Sequence, residues 1–134
     1  MAAFFRAPIL LEQVRLSDAE KQRIGTFSLG IRQRLKLATA LLGSPEYLVL
    51  DEPVNGLDPE GVRWMRDLLR GHADMGGTVL LSSHLMSELA EIADDIVVIS
   101  RGRITAAGAL ADITRGYSDL ESAFFAYTKS GASV

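Results

Sequence analysis

Two adjacent carboxylates, Asp51 and Glu52, follow directly on the apolar run Tyr47-Leu48-Val49-Leu50 and precede Pro53. A hydrophobic strand that ends in two acids is the arrangement metal-assisted nucleotide hydrolysis requires. Successive side chains at a strand end point in different directions, so Asp51 can face a magnesium site while Glu52 faces an attacking nucleophile. Taken alone, the same seven residues also read as a buried strand running into an acidic turn. The rest of the chain decides between the two.

Three further stations stand in order around this pair: Phe27-Ser28-Leu29-Gly30-Ile31-Arg32-Gln33-Arg34 upstream, then Gly56-Leu57-Asp58-Pro59 and Ser82-Ser83-His84 downstream. Ser28 sits where a helix N-cap belongs. A hydroxyl and free backbone N–H groups at a helix start make an anion site that the helix dipole reinforces, and an ordinary cap uses the same residues. Asp58 before Pro59 likewise suits the N-cap of a helix. A lone histidine after a strand is commonly a satisfied surface residue. His84 stands behind Ser82-Ser83 and downstream of the Asp-Glu-Pro strand, which favours a functional role.

In this order and spacing the stations resemble the signature motif, Walker B strand, D-loop and switch histidine of ABC-type ATPases, the nucleotide-binding subunits of ABC transporters. The likeness runs from about residue 11 to 125. It implies that Asp51 holds Mg2+ through water and that Glu52 is the general base or water-orienting carboxylate. It also implies that His84 hydrogen-bonds the terminal phosphate. Ser28 and Gly30 would close over ATP held by the phosphate loop of the opposite subunit, and Asp58 would lie at the dimer junction. The implied partners are a transmembrane permease subunit and a second ATPase subunit. The implied location is cytoplasmic, peripheral at the inner face of the cell membrane through a partner.

The chain departs from the family pattern twice. The usual Leu-Ser-Gly-Gly-Gln signature is Phe27-Ser28-Leu29-Gly30-Ile31, a variant similar to that of bacterial multidrug and antibiotic-resistance exporters. Leu29 replaces a glycine that would let the backbone approach a ligand freely. The second departure is the phosphate loop. No G-x-x-x-x-G-K-[ST] occurs in the sequence, whose lysines are Lys21, Lys36 and Lys129.

The elements that must position these residues follow from periodicity. A polar helix is expected over 12–22, broken near Gly25. After Ser28, the spacing of Ile31, Leu35, Ala38 and Leu42 lays an apolar stripe along a helix that Gly43 and Pro45 end. Residues 47–50 and 78–81 are apolar throughout, as in parallel strands covered on both faces. Between them Val62, Met65, Leu69 and Ala73 mark a helix with Arg63, Arg66 and Arg70 on its other side, stopped by Gly76-Gly77. A helix over 85–93 and a hairpin of 95–100 with 103–106, turning at Arg101-Gly102, follow. A short helix over 108–114 and a closing helix over 120–125 complete the pattern, with Phe124, Phe125 and Tyr127 as core anchors and fraying expected after Lys129.

The expected fold is therefore α/β: a mostly parallel sheet with flanking helices, and by resemblance a partial P-loop NTPase domain of the ABC ATPase type. Ligands of such sheets sit at the carboxyl ends of the strands, where Asp51, Glu52 and His84 all fall. The chain reads as one partial domain, with the end of a helical subdomain over about 11–45 and the C-terminal part of a catalytic core over 46–128. Its 134 residues suffice for one core, whereas a complete domain of this family takes roughly 200 or more.

Composition narrows the function classes. A net charge of −3 gives no electrostatic case for nucleic acid. Without cysteine there is no disulfide framework or thiolate metal site. No apolar run approaches a membrane span, and the first eleven residues do not form a secretory signal. Hydrophobic content of 48% and mean hydropathy of +0.16 fit a lobe whose apolar sheet faces await a cover, and equally a core rich in alanine and leucine. Three functions fit: the ATP-binding and hydrolysing subunit of an ABC exporter, a catalytically silent interaction module or truncated product, and, most distantly, the C-terminal lobe of a DNA-repair-type ATPase.

Overall fold

A computed structural model describes residues 2–19, 23, 25 and 28–129. Phe27 of the signature, residues 20–22 of the expected polar helix, and the tail after Lys129 lie outside the described residues. The element order is α1 (Ala2–Gln13), a 3-10 turn (Ser17–Ala19), α2 (Leu29–Leu41), β1 (Tyr47–Asp51), α3 (Pro59–Asp74), β2 (Thr78–Ser82), α4 (Met86–Ile92), β3 (Asp95–Ser100), β4 (Arg103–Ala109), α5 (Leu110–Ile113) and α6 (Leu120–Lys129). The chain divides into two compact units, Met1–Ser83 and His84–Val134.

In the first unit, α2 begins as its sequence dictates. Ser28 is extended (φ −63°, ψ 164°) and its hydroxyl accepts a hydrogen bond from the Ile31 amide at 3.2 Å, so one orphan donor of the first turn is satisfied. The apolar stripe then packs Ala38, Ile31, Leu35, Leu41 and Leu42 against buried Leu10, Val14 and Leu16. Helix α3 starts in the same way: Asp58 accepts from the Gly61 amide at 2.8 Å, with Pro59 in the first turn where its missing N–H costs nothing. Met65 and Leu69, one turn apart, are both fully buried.

Trp64 joins three helices. Its indole N–H donates to the Gln13 carbonyl at 3.1 Å, and the Arg34 guanidinium lies 4.1 Å from the ring centroid while donating to the Val14 carbonyl at 3.4 Å. An exposed Arg15–Glu60 ion pair at 2.8 Å adds at most about 1 kcal/mol.

Over its described part, 12–19, the expected helix over 12–22 is not formed. Helix α1 ends at Gln13 and the chain turns at Arg15, whose φ is 57°. Val14 and Leu16 are both buried, and residues two apart cannot share a helix face, so burying both breaks the helical period. The sequence also gave little reason to expect a helix across Pro8, which α1 accommodates inside its span.

Strands β1 and β2 pair in parallel from Tyr47↔Thr78 through Val49↔Leu80 to Asp51↔Ser82. Leu48 is buried, but Val49 is 74% exposed and its partner Leu80 62%. Helix α3 packs against β2, and the face carrying Tyr47, Val49 and Leu80 is open, as in a lobe whose apolar sheet faces await a cover.

In the second unit, β3 and β4 form an antiparallel hairpin from Asp95↔Ala109 to Ser100↔Arg103, with an irregularity between Val98 and Ile99. Its turn residues Arg101 (φ 50°) and Gly102 (φ 73°) are both left-handed, as a tight two-residue hairpin turn requires. Alternation puts Ile96 and Val98 inside and Val97 and Ile99 outside. With Ile113 and Leu120 the buried pair forms a core that Met86, Leu89, Phe124 and Tyr127 flank. Phe125, expected in the core, is half exposed because it falls on the outer side of α6. Before that helix the Asp119 carboxylate accepts from the Ser122 amide at 2.7 Å, and the Ser122 hydroxyl and amide together hold its pKa below the ordinary 3.8.

The α/β alternation is as expected. So are the two kinds of strand pairing: β1 and β2 form the parallel pair, and β3 and β4 the antiparallel hairpin.

Candidate functional site at the end of strand β1

Asp51 ends β1 opposite Ser82, the last residue of β2. The Ser82 hydroxyl donates to Asp51 Oδ1 at 2.5 Å and accepts from the Glu52 amide at 3.1 Å, and the same amide reaches the Ser82 carbonyl at 3.1 Å. One serine therefore touches both acidic residues. Glu52 itself has φ 48°, a left-handed conformation that costs a non-glycine residue roughly 1 kcal/mol and persists only where its surroundings hold it. The strand's extended path stops just before this residue. Glu52 is half-buried with Oε2 shut off from solvent, whereas Asp51 is exposed.

The turn that follows is held from outside as well as within. Asn55 donates its amide to the Glu52 carbonyl and Leu57 to that of Val54, each at 3.1 Å. From α2, the Gln33 side-chain amide donates to the Glu52 carbonyl at 3.1 Å and to the Asn55 carbonyl at 3.3 Å. The start of α2 lies against the same turn. A Cβ on Gly30 would stand 3.6 Å from the Gly56 carbonyl oxygen, and one on Gly56, where φ is 78°, would clash with the Leu29 side chain. Glycine at position 56 thus answers both a left-handed backbone and a close approach.

The first unit brings together five of the six residues singled out from the sequence: Asp51 and Glu52 at the strand end, Asp58 capping α3 after their turn, and Ser28 and Gly30 at the start of α2 beside it. His84 belongs to the second unit, exposed just before α4.

Among the described residues no group of three or more His, Cys, Asp or Glu converges on a possible metal site. A magnesium ion does not need one. It keeps several waters and is commonly held by one or two carboxylates together with substrate phosphates, which the exposed Asp51 fits.

Gln33 and Ser82 were not among the expected site residues. Gln33 had one readable signal: it is a polar residue between apolar Leu29 and Leu37 at spacings of four along α2. Ser82 had only its place at the end of a strand.

Known proteins resemble this chain in both sequence and fold. The family profile described as ABC transporter matches residues 5–55. The chain is 45% identical over 105 residues to the uncharacterised ABC transporter ATP-binding protein YcbN of Bacillus subtilis, covering 78% of this chain and 34% of that protein. It is 43% identical over 95 residues to the lantibiotic transport ATP-binding protein SrtF of Streptococcus pyogenes, covering 71% of this chain and 42% of that one. The solved structure of an ATP-binding subunit of an ABC transporter superposes with a TM-score of 0.83 at 29% identity, over 95% of this chain and 55% of that one. The chain spans less than half the length of these curated relatives. Motif order, sequence similarity and fold together place it in the ABC transporter ATP-binding protein family.

Proposed function

We propose that this chain supplies the signature and carboxylate portion of an ATPase subunit that powers antibiotic or drug export through a membrane permease. The observation that carries the proposal is the placement of Asp51 and a left-handed Glu52 at the end of β1, with the start of α2 packed against their turn. In this reading Asp51 faces the magnesium ion bound with ATP. Glu52 orients the attacking water and takes up its proton as the bond to the terminal phosphoryl group breaks. Ser28 and Gly30 present a hydroxyl and backbone N–H groups to the phosphates of an ATP molecule held by another subunit. Asp58 would stand at the junction with that subunit, and His84 would hydrogen-bond the terminal phosphate. The name of SrtF supports antibiotics as the cargo class.

The chain's location would follow from its permease partner. No helix among the described residues is long and apolar enough to cross a membrane. A second reading, an interaction module without catalysis, draws support from the open apolar face of Val49 and Leu80 and from the lack of a phosphate-loop motif in the sequence. A DNA-repair role is disfavoured by 17 acidic against 14 basic residues.

Steady-state ATP turnover separates these readings. The chain alone is expected to hydrolyse no ATP above background, because its sequence holds no phosphate-loop motif to cradle the β- and γ-phosphates. Combined with a partner that carries a phosphate loop, it should turn over, and Glu52→Gln should lower the rate about 100-fold or more while ATP binding persists. Turnover within about twofold of wild type in Glu52→Gln would reject Glu52 as the water-handling group.

A further inference from the structure

We propose that Gln33 and Ser82 are positioning residues that clamp the Glu52 peptide from its two ends and so set the direction of its carboxylate. This rests on the reading of Glu52 given above. The observations come from three separate elements. The Glu52 amide is bonded to the Ser82 carbonyl and hydroxyl at the end of β2, while its carbonyl accepts from the Gln33 side chain on α2. Between those anchors the residue holds φ 48°. Within the turn the Asn55 amide also bonds the Glu52 carbonyl, but neither glutamate nor the following Pro53 favours a left-handed backbone, so the distant anchors are needed to hold it.

The consequences differ for the two clamping residues. Gln33 bonds both Glu52 and Asn55, so the first turns of α2 and the turn after β1 are fastened by one side chain. A displacement of α2 would pull on the Glu52 carbonyl directly. Ser82 works on both acids: by donating to Asp51 Oδ1 it fixes that carboxylate's rotation, and by accepting from the Glu52 amide it fixes the next peptide plane. Its hydroxyl has one proton to donate and gives it to Asp51, which leaves a lone pair for the Glu52 amide, so both bonds form at once.

The test has two arms. The first uses the chain alone and measures amide exchange residue by residue in wild type, Gln33→Met, Ser82→Ala and Ser82→Thr. Gln33→Met keeps the length and loses the donor. It should speed exchange at Asn55 and Leu57 about tenfold relative to the β1–β2 amides of the same sample. Ser82→Ala should do the same at Glu52, and Ser82→Thr, which keeps the hydroxyl, should restore it. Unchanged ratios would overturn the clamp. Equal acceleration across β1, β2 and the turn would also overturn it, by showing general loosening of the unit.

The second arm measures turnover with a phosphate-loop-bearing partner. Gln33→Met and Ser82→Ala should each lower kcat about tenfold or more with KM for ATP unchanged, and Ser82→Thr should stay near wild type. A rise in KM with kcat intact would assign these residues to binding and reject positioning. If wild type does not turn over with any such partner, the reading of Glu52 fails, and the exchange arm still judges the clamp.

Discussion

Glu52 and Arg101 share an unusual backbone state, φ 48° and φ 50°, and reach it by opposite means. Arg101 is followed by Gly102 in a two-residue turn whose strands pair from Ser100↔Arg103 outward, so the next few residues explain the conformation. Besides the Asn55 amide within its own turn, Glu52 is held by Ser82 thirty residues later and by Gln33 nineteen residues earlier. One turn is local; the other is assembled. A left-handed residue that depends on distant groups reports whether those groups are in place, and this is a useful property where a carboxylate must be aimed. The hairpin turn carries no such information.

The sharpest way to break the comparison is to add one methyl group to each turn. Gly56→Ala meets both a left-handed backbone and the Leu29 side chain, and should destabilise the first unit by about 2–3 kcal/mol. Gly102→Ala meets open space and should cost the second unit about 1 kcal/mol. Denaturant unfolding followed by probes in each unit would show this, and equal losses would mean that crowding at position 56 is unimportant.

A smaller, opposite effect is expected at Arg101. Asparagine tolerates the left-handed region, and Asn-Gly is the favoured pair for this turn, so Arg101→Asn should stabilise the hairpin by about 0.5 kcal/mol. Slower amide exchange across β3 and β4 would register the gain. No substitution of this kind should help at Glu52, whose conformation is fixed from elsewhere.

The least effect concerns acid. The folded pKa of Asp119 is depressed, chiefly by the Ser122 hydroxyl and then by the Ser122 amide. Its contribution to α6 is therefore fully present above the ordinary carboxylate value and is lost as pH falls through the lowered one. Helix α6 should fray earlier in an acid titration than it does in Asp119→Asn measured against its own neutral-pH baseline. An identical acid response in both would remove Asp119 from the account.

The same contrast between local and assembled features explains what the sequence disclosed. The Ser28 and Asp58 caps, the stripe of α2, Met65 and Leu69 of α3 and the Arg101-Gly102 turn were all legible, because each rests on residues within a turn or two. The end of α1 was not, since it depends on Val14 and Leu16 both finding burial against α2. Exposure of Val49 and Leu80 was legible only in part, since the composition fitted apolar faces awaiting a cover and a self-contained core equally. An apolar strand specifies that its faces suit a cover, and says nothing of whether one is present. At the site, Asp51 and Glu52 announced themselves by adjacency. Gln33 acts on backbone carbonyls, which leave no mark in a sequence, and Ser82 had only its place at a strand end.

Trp64 gives the first unit an optical handle. It is the chain's one tryptophan, and its indole lies under the Arg34 guanidinium with its N–H on the Gln13 carbonyl. Emission excited at the red edge of protein absorption therefore comes from the meeting point of α1, α2 and α3 alone. Loosening of that junction would appear as a shift in colour or intensity. Melting of the hairpin and α6 leaves the same fluorophore in place, so fluorescence and circular dichroism recorded on one sample would follow different parts of the molecule.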